Sequence, residues 1–337
     1  MTREAMFCEG LADNYVRCHL CAHRCRIASS KRGICAVREN REGSLYSMVY
    51  GRPISESVDP IEKKPLFHVH PGSKSYSIAT VGCNFQCTFC QNHDISQMPR
   101  ETGKIMGRAV TPEDIVERAE KAGSKTIAYT YTEPTVFFEY AYDIGKIAHE
   151  RGIKNVFVTN GFMTGEALEK IAPYLDAANV DLKSFSDDFY KRHCGARLQP
   201  VLDSLKKMKE LGIWVEVTTL VIPSLNDSED ELRDIARFIY SIGAETPWHI
   251  SRYYPRYKMR EPSPTPVKTI HRAAETGKEE GLRYIYAGNV PGDVSESTFC
   301  HGCGHLLIDR YGYQISRVDL DGLNCPRCGT TLSGIFD

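Results

Sequence analysis

From residue 75 onward the chain alternates short β-branched and aromatic runs with longer amphipathic stretches, and this alternation most restricts its fold. Strand-like runs lie at 76–81, 126–131, 155–159, 177–182, 213–222 and 248–253. Helical patterns separate them. Thr111-Pro112-Glu113-Asp114 reads as a helix start, with Thr at the N-cap, Pro behind it and acids facing the positive end of the helix dipole. Ile115, Ala119 and Ala122 then keep one face apolar. Ser228-Glu229-Asp230-Glu231 has capping-box spacing and leads into Leu232, Ile235, Ala236 and Ile239. Six strand-then-helix repeats predict an α/β fold of parallel strands joined by right-handed crossovers. Such a sheet curls toward a barrel, with its site at the carboxyl ends of the strands.

Thirteen cysteines occur in 337 residues, and their grouping matters more than their number. Cys83, Cys87 and Cys90 fall within 82–92, directly after the first strand-like run. Three thiolates so placed can hold three corners of a [4Fe–4S] cluster and leave the fourth iron open. A zinc knuckle fits less well, because structural zinc takes four ligands and His93 is the only nearby candidate for the fourth. Cys18, Cys21, Cys25 and Cys35 form a second set, with Gly33 permitting a sharp turn before the last. Zinc or an auxiliary iron–sulfur cluster would suit it, and spacing leaves both open; His19 and His23 read as solvated neighbours. Cys300, Cys303, Cys325 and Cys328 form two Cys-x2-Cys pairs, each followed by glycine (Gly304, Gly329), the pattern of a zinc ribbon or a rubredoxin-like iron site. Cys8 and Cys194 stand alone, and Cys194 reads as a buried thiol.

Cys-x3-Cys-x2-Cys with Phe89 before its last cysteine resembles the signature of the radical S-adenosylmethionine (radical SAM) enzymes. The resemblance implies a partial (β/α)6 barrel in which Cys83, Cys87 and Cys90 bind the cluster and SAM chelates the open iron. One electron then cleaves SAM to a 5′-deoxyadenosyl radical. It also implies SAM contacts at later strand ends. Thr130-Tyr131-Thr132-Glu133-Pro134 occupies the position of the family's "GGE" element, with larger residues in place of both glycines; Thr132 and Glu133 carry the role over. Asn160 ends the third strand, and Asp181 and Lys183 match an Asp-x-Lys of the glycyl-radical activating enzymes. Val221 would bed the adenine, and His249 is a weaker candidate. Over nearly its full length the chain is similar to the radical SAM enzymes of the AmmeMemoRadiSam system. The N-terminal cysteines, the run Asp59-Pro60-Ile61-Glu62-Lys63-Lys64-Pro65-Leu66 and the turn Gly288-Asn289-Val290-Pro291-Gly292 carry that likeness. It implies association with Memo-type and AMMECR-type proteins, and a low-potential electron donor of ferredoxin or flavodoxin type.

The expected organisation is a cysteine-rich module at 1–74, the barrel at 75–287 and a zinc-ribbon-like tail at 288–337. A hairpin is expected near 45–54, and Pro262, Pro264 and Pro266 predict a stiff connector. Lys63, Lys64, His68 and His70 read as exposed charges, with substrate contact the rarer alternative. A net charge of −1 gives no general pull toward nucleic acid or membrane, and basic residues form no stripe with interleaved aromatics. No apolar run approaches the roughly 18 residues of a membrane span, and the first residues lack a signal-peptide pattern, so cytoplasm is expected. Two further readings are activation of a glycyl-radical protein and a metal-dependent scaffold without turnover.

Overall fold

The computed structural model describes residues 2–290 and 292–336; Met1 and Asp337, and Pro291 of the 288–292 turn, lie outside the described residues. Its main sheet contains β1 (Ser55–Pro60), β2 (Lys74–Ala79), β3 (Thr126–Tyr129), β4 (Lys154–Thr159), β5 (Ala177–Asp181), β6 (Trp214–Val221), β7 (Trp248–Arg252) and β8 (Ile285–Gly288). They lie side by side in chain order. β1 runs antiparallel to β2, and every later pair is parallel. Helices α1 (Pro112–Lys121), α2 (Phe138–Glu150), α3 (Gly165–Ile171), α4 (Gln199–Glu210), α5 (Glu229–Ile242) and α6 (Val267–Glu279) make the crossovers from β2 onward. The α/β barrel-type fold is therefore present with two additions at its edges. β8 pairs with β7 as a further parallel strand, and residues 55–60, read as part of the N-terminal module, form the antiparallel edge.

The helix starts follow local chemistry. Thr111 accepts from Asp114 N while Thr111 N donates to Asp114, a reciprocal cap of about 1 kcal/mol. The expected hairpin is shifted: Arg38–Arg41 pairs with Ser44–Ser47, because Glu42 and Gly43 both take positive φ and close a two-residue turn.

One segment closes the barrel from within. Trp248 packs against Gly277 of α6, so its neighbour His249 faces the inner side of the sheet. Residues 61–70 cross that inner side. Asn179 Nδ2 of β5 donates to Pro65 O at 2.8 Å, and the N–H groups of Phe67 and His68 donate to Glu216 of β6 at 3.0 and 2.8 Å. The C-terminal tail clamps this plug through a hairpin, β9 (Leu306–Tyr311) and β10 (Gln314–Val318), whose buried Arg310 donates to Phe67 O at 2.8 Å. Among the described residues no helix is long and apolar enough to cross a membrane.

Candidate active site

Cys83, Cys87 and Cys90 lie on the loop that follows β2 and precedes a helical turn at His93–Ser96. Cys83 and Cys87 are buried and Cys90 is half-buried. The loop is fixed by its backbone. Gly82 sits at φ +100°, and a Cβ there would fall 2.5 Å from Val37, so only glycine fits. Gln86 N and Thr88 N donate to Cys194 O and His193 O at 2.8 and 2.9 Å. Arg100 reaches the carbonyls of Ile34, Cys83 and Phe85. Burial pushes the Cys83 and Cys90 thiols up, whereas the hydrogen bond from Cys194 holds Cys87 down. Phe89 is buried, its ring centroid 5.9 Å from that of Phe189.

The later strand ends converge on this loop. Glu133 is buried after β3, where Thr159 Oγ1 and Asn160 N donate to its two carboxylate oxygens at 2.7 and 2.8 Å. Burial raises its pKa against those hydrogen bonds. Asn160 Nδ2 donates to Asn84 Oδ1 at 2.8 Å and lies 3.8 Å from Cys83 Sγ. At the end of β5, Lys183 Nζ pairs with Asp181 at 2.8 Å. Burial works against the Lys183 charge, but Asp181, Cys87 and Cys194 outweigh it and lift its pKa. Thr132 Oγ1 donates to Thr80 O at 2.8 Å, tying the end of β3 to the start of the loop. Val221 is buried at the end of β6, and its carbonyl accepts from Thr265 Oγ1 at 2.6 Å.

His249 belongs elsewhere. It sits early in β7, 2.6 Å from Glu216 and stacked against Tyr286, within the plug network and not at a strand's carboxyl end. Its apparent candidacy came from strand membership alone.

Three features escaped the sequence. Cys194, buried as expected, proves to neighbour Cys87 and to lower the pKa of its thiol. Tyr131, in the place of a glycine, takes φ +63°, a conformation costly for a bulky residue. Its carbonyl accepts from Asn92 Nδ2 of the cysteine loop at 2.7 Å. Its hydroxyl bonds Asp59, and Lys64 Nζ donates to Asp59 at 2.7 Å and Tyr131 Oη at 3.2 Å. Lys64 is thus buried, not exposed, and burial, offset by Asp59, brings its ammonium down to about 8. The signal was the Asp59–Lys64 run itself, whose acid and lysine stand five positions apart.

Sulfur spacing separates the cysteine groups. Cys300 and Cys328 sulfurs are 3.5 Å apart, and those of Cys303 and Cys325 are 3.7 Å apart. Four thiolates about 2.3 Å from one tetrahedral ion stand about 3.8 Å apart, so this group suits a single ion. Gly304 and Gly329, at φ +72° and +75°, donate back to Cys300 O and Cys325 O and close the two knuckles. Among the described residues this is the only group of three or more ligand-type side chains whose donor atoms all lie within 4.8 Å. Cys83, Cys87 and Cys90 are wider, as needed when each thiolate takes a different iron of one cluster. The buried Asn84 Nδ2 and Thr88 Oγ1 beside them lack protein partners, leaving spare polar groups for a bound cofactor. The residues fit a cluster with one open iron.

The sequence model of the Radical SAM superfamily matches residues 77–239, the span holding the cysteine loop and the strand ends just described. The chain belongs to the radical SAM superfamily. An uncharacterized protein of Methanocaldococcus jannaschii is 48% identical over 97% of this chain and 98% of its own length. The pyruvate formate-lyase-activating enzyme of Clostridium pasteurianum is 27% identical over 48% of this chain and 67% of its own. Among solved structures, Streptococcus suis SuiB superposes with a TM-score of 0.50 at 14% identity, covering 63% of this chain and 48% of that one, a likeness of fold alone. This radical SAM enzyme therefore belongs to a family whose members imply a [4Fe–4S] cluster and SAM.

Proposed function

We propose that this radical SAM enzyme cleaves SAM reductively at a cluster held by Cys83, Cys87 and Cys90 and abstracts hydrogen from its substrate. The observation that carries this is the link from Cys83 through Asn160 to Glu133, with the Asp181–Lys183 pair at the end of β5. When bound, cluster and SAM supply the one-electron chemistry that yields a 5′-deoxyadenosyl radical. The chain's residues position it. Glu133 and Asn160 offer an acid and an amide to the methionine amino group, Lys183 neutralises its carboxylate, and Asp181 accepts ribose hydroxyls. Thr132 braces the strand end, while Phe89 and Val221 supply apolar walls that exclude water.

A low-potential protein of ferredoxin or flavodoxin type would supply the electron, in the cytoplasm. Cys300, Cys303, Cys325 and Cys328 would hold zinc. By family resemblance, Memo-type and AMMECR-type proteins are the expected partners. The Asp-x-Lys pair and the similarity to an activating enzyme favour one second reading, activation of a glycyl-radical protein. Deuterium transfer from a candidate substrate into 5′-deoxyadenosine tests both: label from a small molecule supports the first, and label from a protein glycine supports the second.

A further inference from the structure

We propose that Cys18, Cys21, Cys25 and Cys35 hold a second [4Fe–4S] cluster, connected to the first through His23 and Asn84. All four thiols line one cavity, together with Ile27, Ile34 and the aliphatic and cationic surface of Arg38. The donor set is four sulfurs. His23, the nearest imidazole on that wall, is committed elsewhere, with Nε2 2.8 Å from Asn84 O.

Spacing decides between one ion and a cluster. The C-terminal cysteines have closed to the distances of a single tetrahedral ion. The N-terminal four have not: no three of their sulfurs lie within 4.8 Å of one another, although all face the same cavity. Four thiolates around a common space but too far apart for one ion are the ligand set of a tetranuclear cluster, one thiolate per iron. The cavity wall also offers its occupant a donor. Arg38 is buried, its Nη1 lies 3.9 Å from Cys18 Sγ, and its Nε lacks a protein partner. Glu139 pairs with the same guanidinium and keeps the cation in place.

The two cysteine sets share a wall. A Cβ at Gly82, next to Cys83, would lie 3.2 Å from Cys35 O. His23 borders the N-terminal cavity and contacts Asn84, whose side chain accepts from Asn160 beside Cys83. The second cluster takes one electron from a low-potential one-electron donor and passes one to the first, with no bond made or broken. This relay rests on the reading of the Cys83 site given above; the cluster assignment does not.

The test uses full-length protein reconstituted anaerobically with iron and sulfide, and the triple variant Cys83→Ala/Cys87→Ala/Cys90→Ala. The variant is expected to keep about four irons and four sulfides and, on reduction, a paramagnetic cluster signal that SAM does not alter. A triple variant holding zinc and no iron overturns the second cluster. If that variant does not fold, Mössbauer and metal analysis of the unaltered chain decide: about eight irons and one zinc support it, about four irons and two zincs overturn it. The converse variant Cys21→Ser/Cys25→Ser is expected to keep SAM cleavage with dithionite and lose most of the cleavage supported by reduced flavodoxin. Equal activity with both reductants overturns the relay alone. Loss of any SAM-dependent signal in the unaltered chain would instead sink the reading of the Cys83 site.

Discussion

The backbone N–H of Asn160 donates to Glu133 Oε2 at 2.8 Å, joining the ends of β3 and β4 beneath the cysteine loop. Glu133 also accepts from Thr135 N at 3.0 Å and Thr159 Oγ1 at 2.7 Å. Glu133→Ala strands several buried donors, each worth about 1–3 kcal/mol when left unpaired. The expected result is a loss of about 2–4 kcal/mol in denaturant unfolding together with weakened SAM binding. Glu133→Gln retains the volume but turns an amide donor toward the donors that Glu133 now accepts, so stability should fall by less than in Glu133→Ala. A SAM dissociation constant raised under conditions where that variant is fully folded isolates the cofactor role.

Tyr131 holds its unfavourable backbone because its hydroxyl is anchored on Asp59 and Lys64. Tyr131→Phe should cost about 1.5–3 kcal/mol, the loss of a hydrogen bond to a charged group. Lys64→Met should cost more, about 3–5 kcal/mol, because it removes one partner of a buried pair. Urea unfolding at pH 7 measures both, and equal small losses would place Lys64 outside the network.

His68 couples stability to pH. Burial lowers its pKa to about 4, against about 6.5 in the unfolded chain. The unfolded state therefore binds the extra proton across that window, so stability is whole above pH 6.5 and falls as pH drops toward 4. The expected loss is about 3 kcal/mol. His68 bonds Ser333 O and Tyr286 Oη, both at 2.6 Å, so acid should loosen the tail first. Unfolding at pH 7 and pH 5 checks this, and His68→Gln should flatten the difference.

The tail tests the proposed zinc. Most of it is exposed outside the patch that meets the plug, so the ion supplies much of its folding energy. Chelation should release about one zinc and open 300–330 to protease while the barrel resists. A tail that stays resistant after complete metal loss would contradict the assignment.

Local chemistry made much of this legible. Strand periodicity found six of the parallel strands, Thr111 and Ser228 marked helix starts, and cysteine spacing separated three metal-type groups. What escaped depends on pairing far along the chain. Residues 55–60 carry no mark of their register against β2, and the plug at 61–70 reads as charged surface until Asn179 and Glu216 supply its partners. His249 misled because a strand's face and level depend on its neighbours' register. Cys194 approaches Cys87 only through the fold, 107 positions away in the chain.

The central claim is that Cys83, Cys87 and Cys90 hold a cluster whose open iron takes SAM. Electron paramagnetic resonance of the reduced, reconstituted protein with and without SAM, paired with 5′-deoxyadenosine quantification, tests it most directly. The account predicts a cluster signal shifted by SAM and 5′-deoxyadenosine formed in the unaltered chain, both abolished by Cys87→Ala. A Cys87→Ala protein that still cleaves SAM reductively would contradict it.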